Sequence, residues 1–135
     1  MPEQAAKKII MAVDDMPVNL AAVRNILSQH YDVRPIKSAK TALMMLNTVK
    51  VDLVLLDIEM PEMSGFEFLD RIRNNPEYSE QKDIPVIFIT SHGAEDMAAR
   101  AKSGGAQDYV VKPFEPAVLL KKIGSLLAAE NPPAE

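Results

Sequence analysis

Apolar residues along this chain fall into two alternating patterns. Short unbroken runs have the length and the Val/Ile/Leu content of buried strands: Lys8-Ile9-Ile10-Met11-Ala12-Val13, Val51 to Leu56, Pro85-Val86-Ile87-Phe88-Ile89 and Tyr109-Val110-Val111. Between them apolar positions recur at helical spacing: Leu20, Val23 and Leu27; Leu43 and Leu46; Phe66, Leu69 and Ile72; Leu119, Ile123 and Leu126. Pro17 suits the first turn of a first helix reaching about His30, and Ser38 is a natural N-cap for the second. A fourth helix is predicted from about Glu95 to the Gly104-Gly105 stop, and a last one from near Glu115. Tyr31 to Ile36 is a weaker strand, placed at a sheet edge because Pro35 lacks a ladder donor.

This alternation amounts to about five successive βα units, which predicts an α/β fold with a doubly wound parallel sheet and helices on both faces. Right-handed crossovers leave few topologies, and the expected one is matched to a known arrangement, the flavodoxin-like strand order 2-1-3-4-5, which sets the first, third, fourth and fifth strands side by side. Ligands of such sheets bind outside the carboxyl ends of the strands. Here the strand-like runs end in Asp14-Asp15, Asp57, Thr90 and Lys112. The topology would gather three carboxylates, a hydroxyl and an ammonium at one edge.

Composition narrows the function classes. At 135 residues the chain fits one domain, expected over residues 7–128, with 129–135 as a tail or the start of a linker. Net charge is −4, so no basic footprint argues for direct nucleic-acid binding. The lack of cysteine excludes disulfides, thiolate metal sites and thiol catalysis. Apolar runs of strand length predict no membrane span, and the polar start up to Lys8 lacks a secretory signal, so the cytoplasm is the default compartment.

Three clustered carboxylates repel one another and gain proton affinity unless a cation sits among them. Mg²⁺ (or Mn²⁺) suits an oxygen-only set and is often completed by a phosphate. A carboxylate can also act as nucleophile toward phosphorus, while a metal and a lysine offset the charge on the transferring oxygens. Each piece alone has a plainer explanation: an Asp pair as a helix cap, Thr90 as a β-branched strand residue, Lys112-Pro113 as a turn. Their coincidence at the strand ends outweighs these. His30 and His92 are isolated and read as solvated surface; the methionines read mostly as core filler, while Met60 and Met63 lie in the loop after Asp57 and need no catalytic role.

Val13-Asp14-Asp15, Leu56-Asp57-Ile58-Glu59-Met60-Pro61 with Ser64-Gly65, Thr90-Ser91, and the run Gly105 to Phe114 resemble the receiver domain of bacterial two-component response regulators. The resemblance covers about Lys7 to Ala128 and includes the chemotaxis regulator, an established example of the 2-1-3-4-5 order. It implies that Asp57 is the phosphoacceptor, Asp15 a direct metal ligand, Asp14 the acid that holds metal-bound water, and Glu59 a metal ligand through its backbone carbonyl. It implies Thr90 and Lys112 as ligands of the phosphoryl oxygens, Thr90 with Tyr109 as a switch pair, and a cis peptide at Lys112-Pro113. Implied partners are a histidine kinase as donor and a downstream protein or linked domain as output; phosphorylation-dependent homodimerisation is compatible with it.

The expected function is therefore a phosphorelay signalling module that catalyses only its own phosphorylation and dephosphorylation. The competing class is a Mg²⁺-dependent phosphohydrolase of the haloacid dehalogenase type, which wants an Asp two residues after the nucleophile; Glu59 stands there. Flavin binding would want a Ser/Thr/Gly-rich loop after the first strand, and Asp14-Asp15-Met16-Pro17 is its electrostatic opposite. The run from Asp14 to Asn19 also resembles receivers attached to hybrid kinases and to cyclic di-GMP enzymes.

Overall fold

The computed structural model describes residues 7–58, 60, 62–75, 83–90, 96, 99–100, 105–112 and 115–130. Strands β1 (Ile9–Val13), β2 (Asp32–Ile36), β3 (Leu53–Asp57), β4 (Val86–Thr90) and β5 (Asp108–Val111) form one parallel sheet in the order β2-β1-β3-β4-β5. Helices α1 (Pro17–Leu27), α2 (Ala39–Leu46), α3 (Gly65–Asn74) and α4 (Pro116–Glu130) connect or follow the strands. Of the helix expected after β4, Asp96, Ala99 and Arg100 are helical; its other residues lie outside the described ones.

Alternation along each strand divides the core into two layers. Met11, Val13, Val54, Leu56, Val86 and Phe88 face one layer, closed by Leu43 and Leu46 of α2 and by Phe68, Leu69 and Ile72 of α3. Ile10, Ala12, Leu53, Leu55, Ile87 and Ile89 face the other, closed by Leu20, Val23 and Leu27 of α1 and by Leu119, Ile123 and Leu127 of α4. Every residue of β3 and β4 is buried, as central strands covered on both faces require. Burying a Leu or Ile side chain contributes about 1.5–3 kcal/mol. That packing, rather than intrinsic propensity, holds α2, whose 8 residues are too few for an isolated helix.

Local signals set the helix starts. Ser38 Oγ accepts from the Thr41 N–H at 3.1 Å, and Ser64 Oγ accepts from the Glu67 N–H at 3.2 Å. Pro17 occupies the first turn of α1. Pro35 lies in the edge strand β2, and the ladder to β1 runs through Asp32 and Ile36, so the nitrogen of residue 35 faces the open edge where no donor is needed.

Three readings of the periodicity shift. Helix α1 ends at Leu27 rather than His30, because the His30 and Tyr31 N–H groups both donate to the Leu27 carbonyl at 2.9 Å and turn the chain into β2. In α3 the buried position is Phe68 rather than Phe66; with the helix starting at Gly65, residue 66 falls on the flank. In α4 the buried stripe steps from Leu119 to Ile123 to Leu127, leaving Leu126 partly buried beside it.

At the end of the sheet away from the strand C-termini, Arg73 ties α3 to the turn entering β5. Its Nη2 donates to the Gly105 carbonyl at 3.0 Å and to Gln107 Oε1 at 3.3 Å. Gln107 Oε1 also accepts from the Val86 N–H at 2.8 Å. Burial pushes the Arg73 pKa down, and Asp83 opposes that shift. Gly105 has φ 93°, a conformation that favours glycine, which explains why the chain turns here.

Candidate functional site

The parallel ladder places the candidate side chains. The Asp14 N–H donates to the Ile36 carbonyl at 3.0 Å, so Asp14 stands one step beyond β1. Asp57 is the last residue of β3, and the Ile58 N–H continues the ladder to the Ile89 carbonyl at 3.1 Å. Thr90 ends β4, and the Lys112 N–H donates to its carbonyl at 2.6 Å. Four separate strands thus deliver their last residue or the one after it to the same edge, as the expected topology requires.

There Asp14, Asp15 and Asp57 converge, each offering a carboxylate oxygen within 4.8 Å of the others. Lys112 Nζ stands 3.2 Å from Asp14 Oδ2 and 3.4 Å from Asp57 Oδ2, joining the first strand's acid to the third's. Asp14 Oδ1 accepts from the Met16 N–H at 2.9 Å. The Asp pair does not cap α1, whose N-cap is Met16 with no side-chain cap bond; one oxygen of Asp14 holds the turn before the helix, and the other faces the lysine.

Asp14 and Asp57 are only 3% and 5% exposed, so water does little to separate their charges. Two unit charges about 4 Å apart interact by about 4 kcal/mol at an effective dielectric near 20. Three carboxylates make three repulsive pairs, and one ammonium in contact with two of them leaves the cluster net negative. The donor set is all oxygen, without His or Cys, which is the chemistry of a hard divalent cation. The residues fit such an ion.

Thr90 is buried. Strand alternation puts it on the face of Phe88 and Val86, the α2–α3 side of the sheet. Tyr109 pairs in register with Phe88 on the next strand and packs, half-buried, against the same layer. The two residues expected to act as a switch therefore share Phe88 as a neighbour along the sheet.

The loop after Asp57 is fixed by close backbone approach. The Gly65 N–H donates to the Ile58 carbonyl at 2.9 Å. A Cβ on Gly65 would lie 2.7 Å from the Asp57 carbonyl oxygen, 2.9 Å from Ile58 Cα and 3.2 Å from Phe88 Cε1. Only glycine lets α3 start this close to the strand end that carries Asp57. Glu62 adopts φ 72°, the left-handed region that a non-glycine residue occupies at a cost of about 1 kcal/mol or more. In the sequence Gly65 is legible only as part of a motif and the conformation of Glu62 not at all, while the Ser64…Glu67 cap is a readable signal for where α3 begins.

Glu59, Ser91, His92, Phe114 and Pro113, and with Pro113 the expected cis peptide, lie outside the described residues. His30 follows the C-terminal end of α1, exposed, beside Tyr31 and at the opposite end of that helix from Asp15. Among the described residues no helix is long and apolar enough to cross a membrane.

Comparison with known proteins agrees with this geometry. The response regulator receiver domain family matches residues 10–124. The chain belongs to the response regulator receiver family. The rice two-component response regulator ORR5 is 34% identical over 116 residues, covering 84% of this chain and 84% of the rice protein. A Vibrio cholerae protein named "Probable cyclic di-GMP phosphodiesterase" is 39% identical over 121 residues; the match takes in 90% of this chain but only 27% of that relative. The solved structure of chemotaxis protein CheY4 from Vibrio cholerae superposes with a TM-score of 0.79 at 29% identity, covering 90% of this chain and 99% of CheY4. The BeF₃-activated DrrB receiver domain superposes with a TM-score of 0.77 at 27% identity, over 90% of this chain and 97% of that one.

Membership makes this receiver a signalling phosphoacceptor rather than a metabolic enzyme, and it sets aside the phosphohydrolase alternative. Receivers of this kind act with histidine kinases and linked output domains.

Proposed function

We propose that Asp57 is the single phosphoacceptor and that the receiver takes a phosphoryl group from the phosphohistidine of a histidine kinase. What carries this reading is the convergence of Asp14, Asp15 and Asp57 with Lys112 bridging the first and last of them. An Asp57 carboxylate oxygen attacks phosphorus; the new O–P bond forms as the N–P bond breaks, its electron pair returning to the imidazole. Lys112, already at Asp57 Oδ2, neutralises charge on the transferring oxygens, and the Thr90 hydroxyl donates to one of them. Asp15 and Asp57, with the Glu59 backbone carbonyl, would hold Mg²⁺ (or Mn²⁺), and Asp14 would hold it through water. When bound, the ion offsets the charge on the carboxylates and on the phosphoryl oxygens.

A calorimetric or fluorescence titration with Mg²⁺ tests the ligand set. Asp15→Ala should weaken binding at least tenfold, while His30→Ala and His92→Ala should leave it near wild type. Unchanged affinity in Asp15→Ala contradicts the assignment.

The modified state is read out through Thr90 and Tyr109. A phosphoryl group gives the Thr90 hydroxyl an acceptor found only in that state; its inward movement opens room for the Tyr109 ring and alters the face formed by the helix expected after β4, by β5 and by α4. A ligand can bias such a switch only by its differential contacts, so some active-like population precedes phosphorylation. Amide spectra with and without beryllofluoride test this relay. Shifts should extend from the acidic cluster into residues 105–111; shifts confined to the cluster refute the relay and leave Asp57 a phosphate sink.

We read residues 7–128 as the receiver and 129–135 as a tail or the start of a linker. The likeness to the Vibrio cholerae relative suggests an output tied to cyclic di-GMP turnover, in a linked domain or a separate protein. Co-purification with a cyclic di-GMP phosphodiesterase whose activity changes on phosphorylation would support that output.

A further inference from the structure

Three aromatic and cationic groups outside the acidic cluster form a continuous stack toward the surface. The Phe66 ring meets Phe88 edge-on, with centroids 4.9 Å apart and planes at 66°. The guanidinium carbon of Arg100 lies 4.1 Å from the Phe66 ring centroid, within the range of a cation–π contact. Arg100 is exposed and Phe66 only partly buried, so the contact sits at the rim of the α2–α3 layer rather than within it.

The stack joins two limbs that start at different parts of the site. Phe66 follows Gly65, whose backbone is wedged against the Asp57 carbonyl, so Phe66 rides on the limb that carries the phosphoacceptor. Arg100 lies ten residues after Thr90 in sequence, on the segment that leaves the end of β4. Phe88 lies under Phe66 and beside Tyr109 in the sheet register. A modification that pulls Thr90 toward Asp57 acts at the strand end from which the chain leads on to Arg100, and any displacement of Tyr109 occurs next to the ring supporting the stack.

We propose that the Phe66–Arg100 stack is a latch that holds the two limbs in the unmodified arrangement, with Arg100 a positioning residue that opposes the switch. This rests on the Thr90–Tyr109 relay proposed above and adds a second, opposing contact to it. A cation–π contact at an exposed rim shifts an equilibrium by about two- to fivefold. On this proposal the modified state breaks the latch, so its removal should make the receiver easier to activate.

The test is a double-mutant cycle with Arg100→Gln and Phe66→Leu, using Mg²⁺ and beryllofluoride as the probe on the full chain. Each single variant should tighten half-saturation by beryllofluoride about two- to fivefold. Each should also move the Tyr109 amide of the free protein part of the way toward its beryllofluoride-bound position. The double variant should go no further than the stronger single, and Arg100→Lys, which keeps the cation, should stay closer to wild type than Arg100→Gln. Singles that match wild type, weaken binding, or add independently in the double variant overturn the latch. If Phe66→Leu proves unstable, Phe66→Met takes its place in the cycle, because Arg100 has a contact besides the Phe66 ring and its variant alone does not isolate the latch. The relay itself is judged on the wild-type protein: beryllofluoride shifts that reach residues 105–111 while the variants behave as wild type defeat the latch only.

Discussion

Lys112→Ala is expected to keep its fold and to take up phosphate about 10²-fold more slowly from a small acyl phosphate donor. The lysine ammonium stands 3.2 Å from Asp14 and 3.4 Å from Asp57, the one cation among the described residues that contacts both acids. Removing a positioned donor from a charge-developing site costs about 10²–10³ in rate. The same change exposes the mutual repulsion of the three carboxylates, so the metal-free variant should melt below wild type, with saturating Mg²⁺ restoring part of the difference. Initial rates of adduct formation, paired with thermal melts with and without Mg²⁺, separate the two effects. An undiminished rate in a folded variant would remove Lys112 from the transfer step.

Gly65→Ala should destabilise the chain by about 1–3 kcal/mol, the usual range for overpacking where the neighbours cannot yield. Its new Cβ would meet main-chain atoms, the Asp57 carbonyl at 2.7 Å and Ile58 Cα at 2.9 Å, rather than the tip of a flexible side chain. Relief requires α3 to back away from β3, which moves the strand end carrying Asp57, so Mg²⁺ binding should weaken as well. Gly124→Ala, in the interior of α4, is the matched control: nothing lies within 4 Å of its Cβ position. Exchanging a helical glycine for alanine there should stabilise by about 0.5–1 kcal/mol. Chemical denaturation of both variants checks the contrast, and equal effects at the two positions would refute the close-approach explanation.

The difference between these two glycines shows where the sequence was readable. Gly124 lies in an amphipathic helix visible from Leu119 and Ile123 alone. Gly65 lies in a loop whose spacing carries no periodicity, and its constraint comes from a strand that ends eight residues earlier. The strand ends were legible because apolar runs stop abruptly at Asp14, Asp57, Thr90 and Lys112, and parallel topology then forces them together. The contact of Lys112 with Asp14 as well as Asp57 was not legible, since it depends on side-chain reach across three strands. Phe66 misled for a related reason: its apolar character fits a core stripe, yet the helix phase set by Ser64 and Gly65 gives the buried place to Phe68 and leaves Phe66 for Phe88 and Arg100. Helix ends shifted by local hydrogen bonding, as with the Leu27 carbonyl that stops α1 short of His30.

The acidic residues divide in the same way. That Asp14, Asp15 and Asp57 meet followed from the strand order; that Asp14 splits its two oxygens between the Met16 N–H and Lys112 did not. Asp15 is the more exposed of the three acids, which agrees with the direct-ligand role proposed for it, while Asp14 and Asp57 are buried and both in contact with the lysine.

Intact-mass analysis after incubation with a small acyl phosphate donor tests the phosphoacceptor assignment most directly. Wild type with Mg²⁺ should gain one phosphoryl group, while Asp57→Asn, and wild type in excess chelator, should gain none. An adduct that persists in Asp57→Asn, or that forms to the same extent in chelator, would contradict the assignment of Asp57 and of the acidic cluster as its metal site.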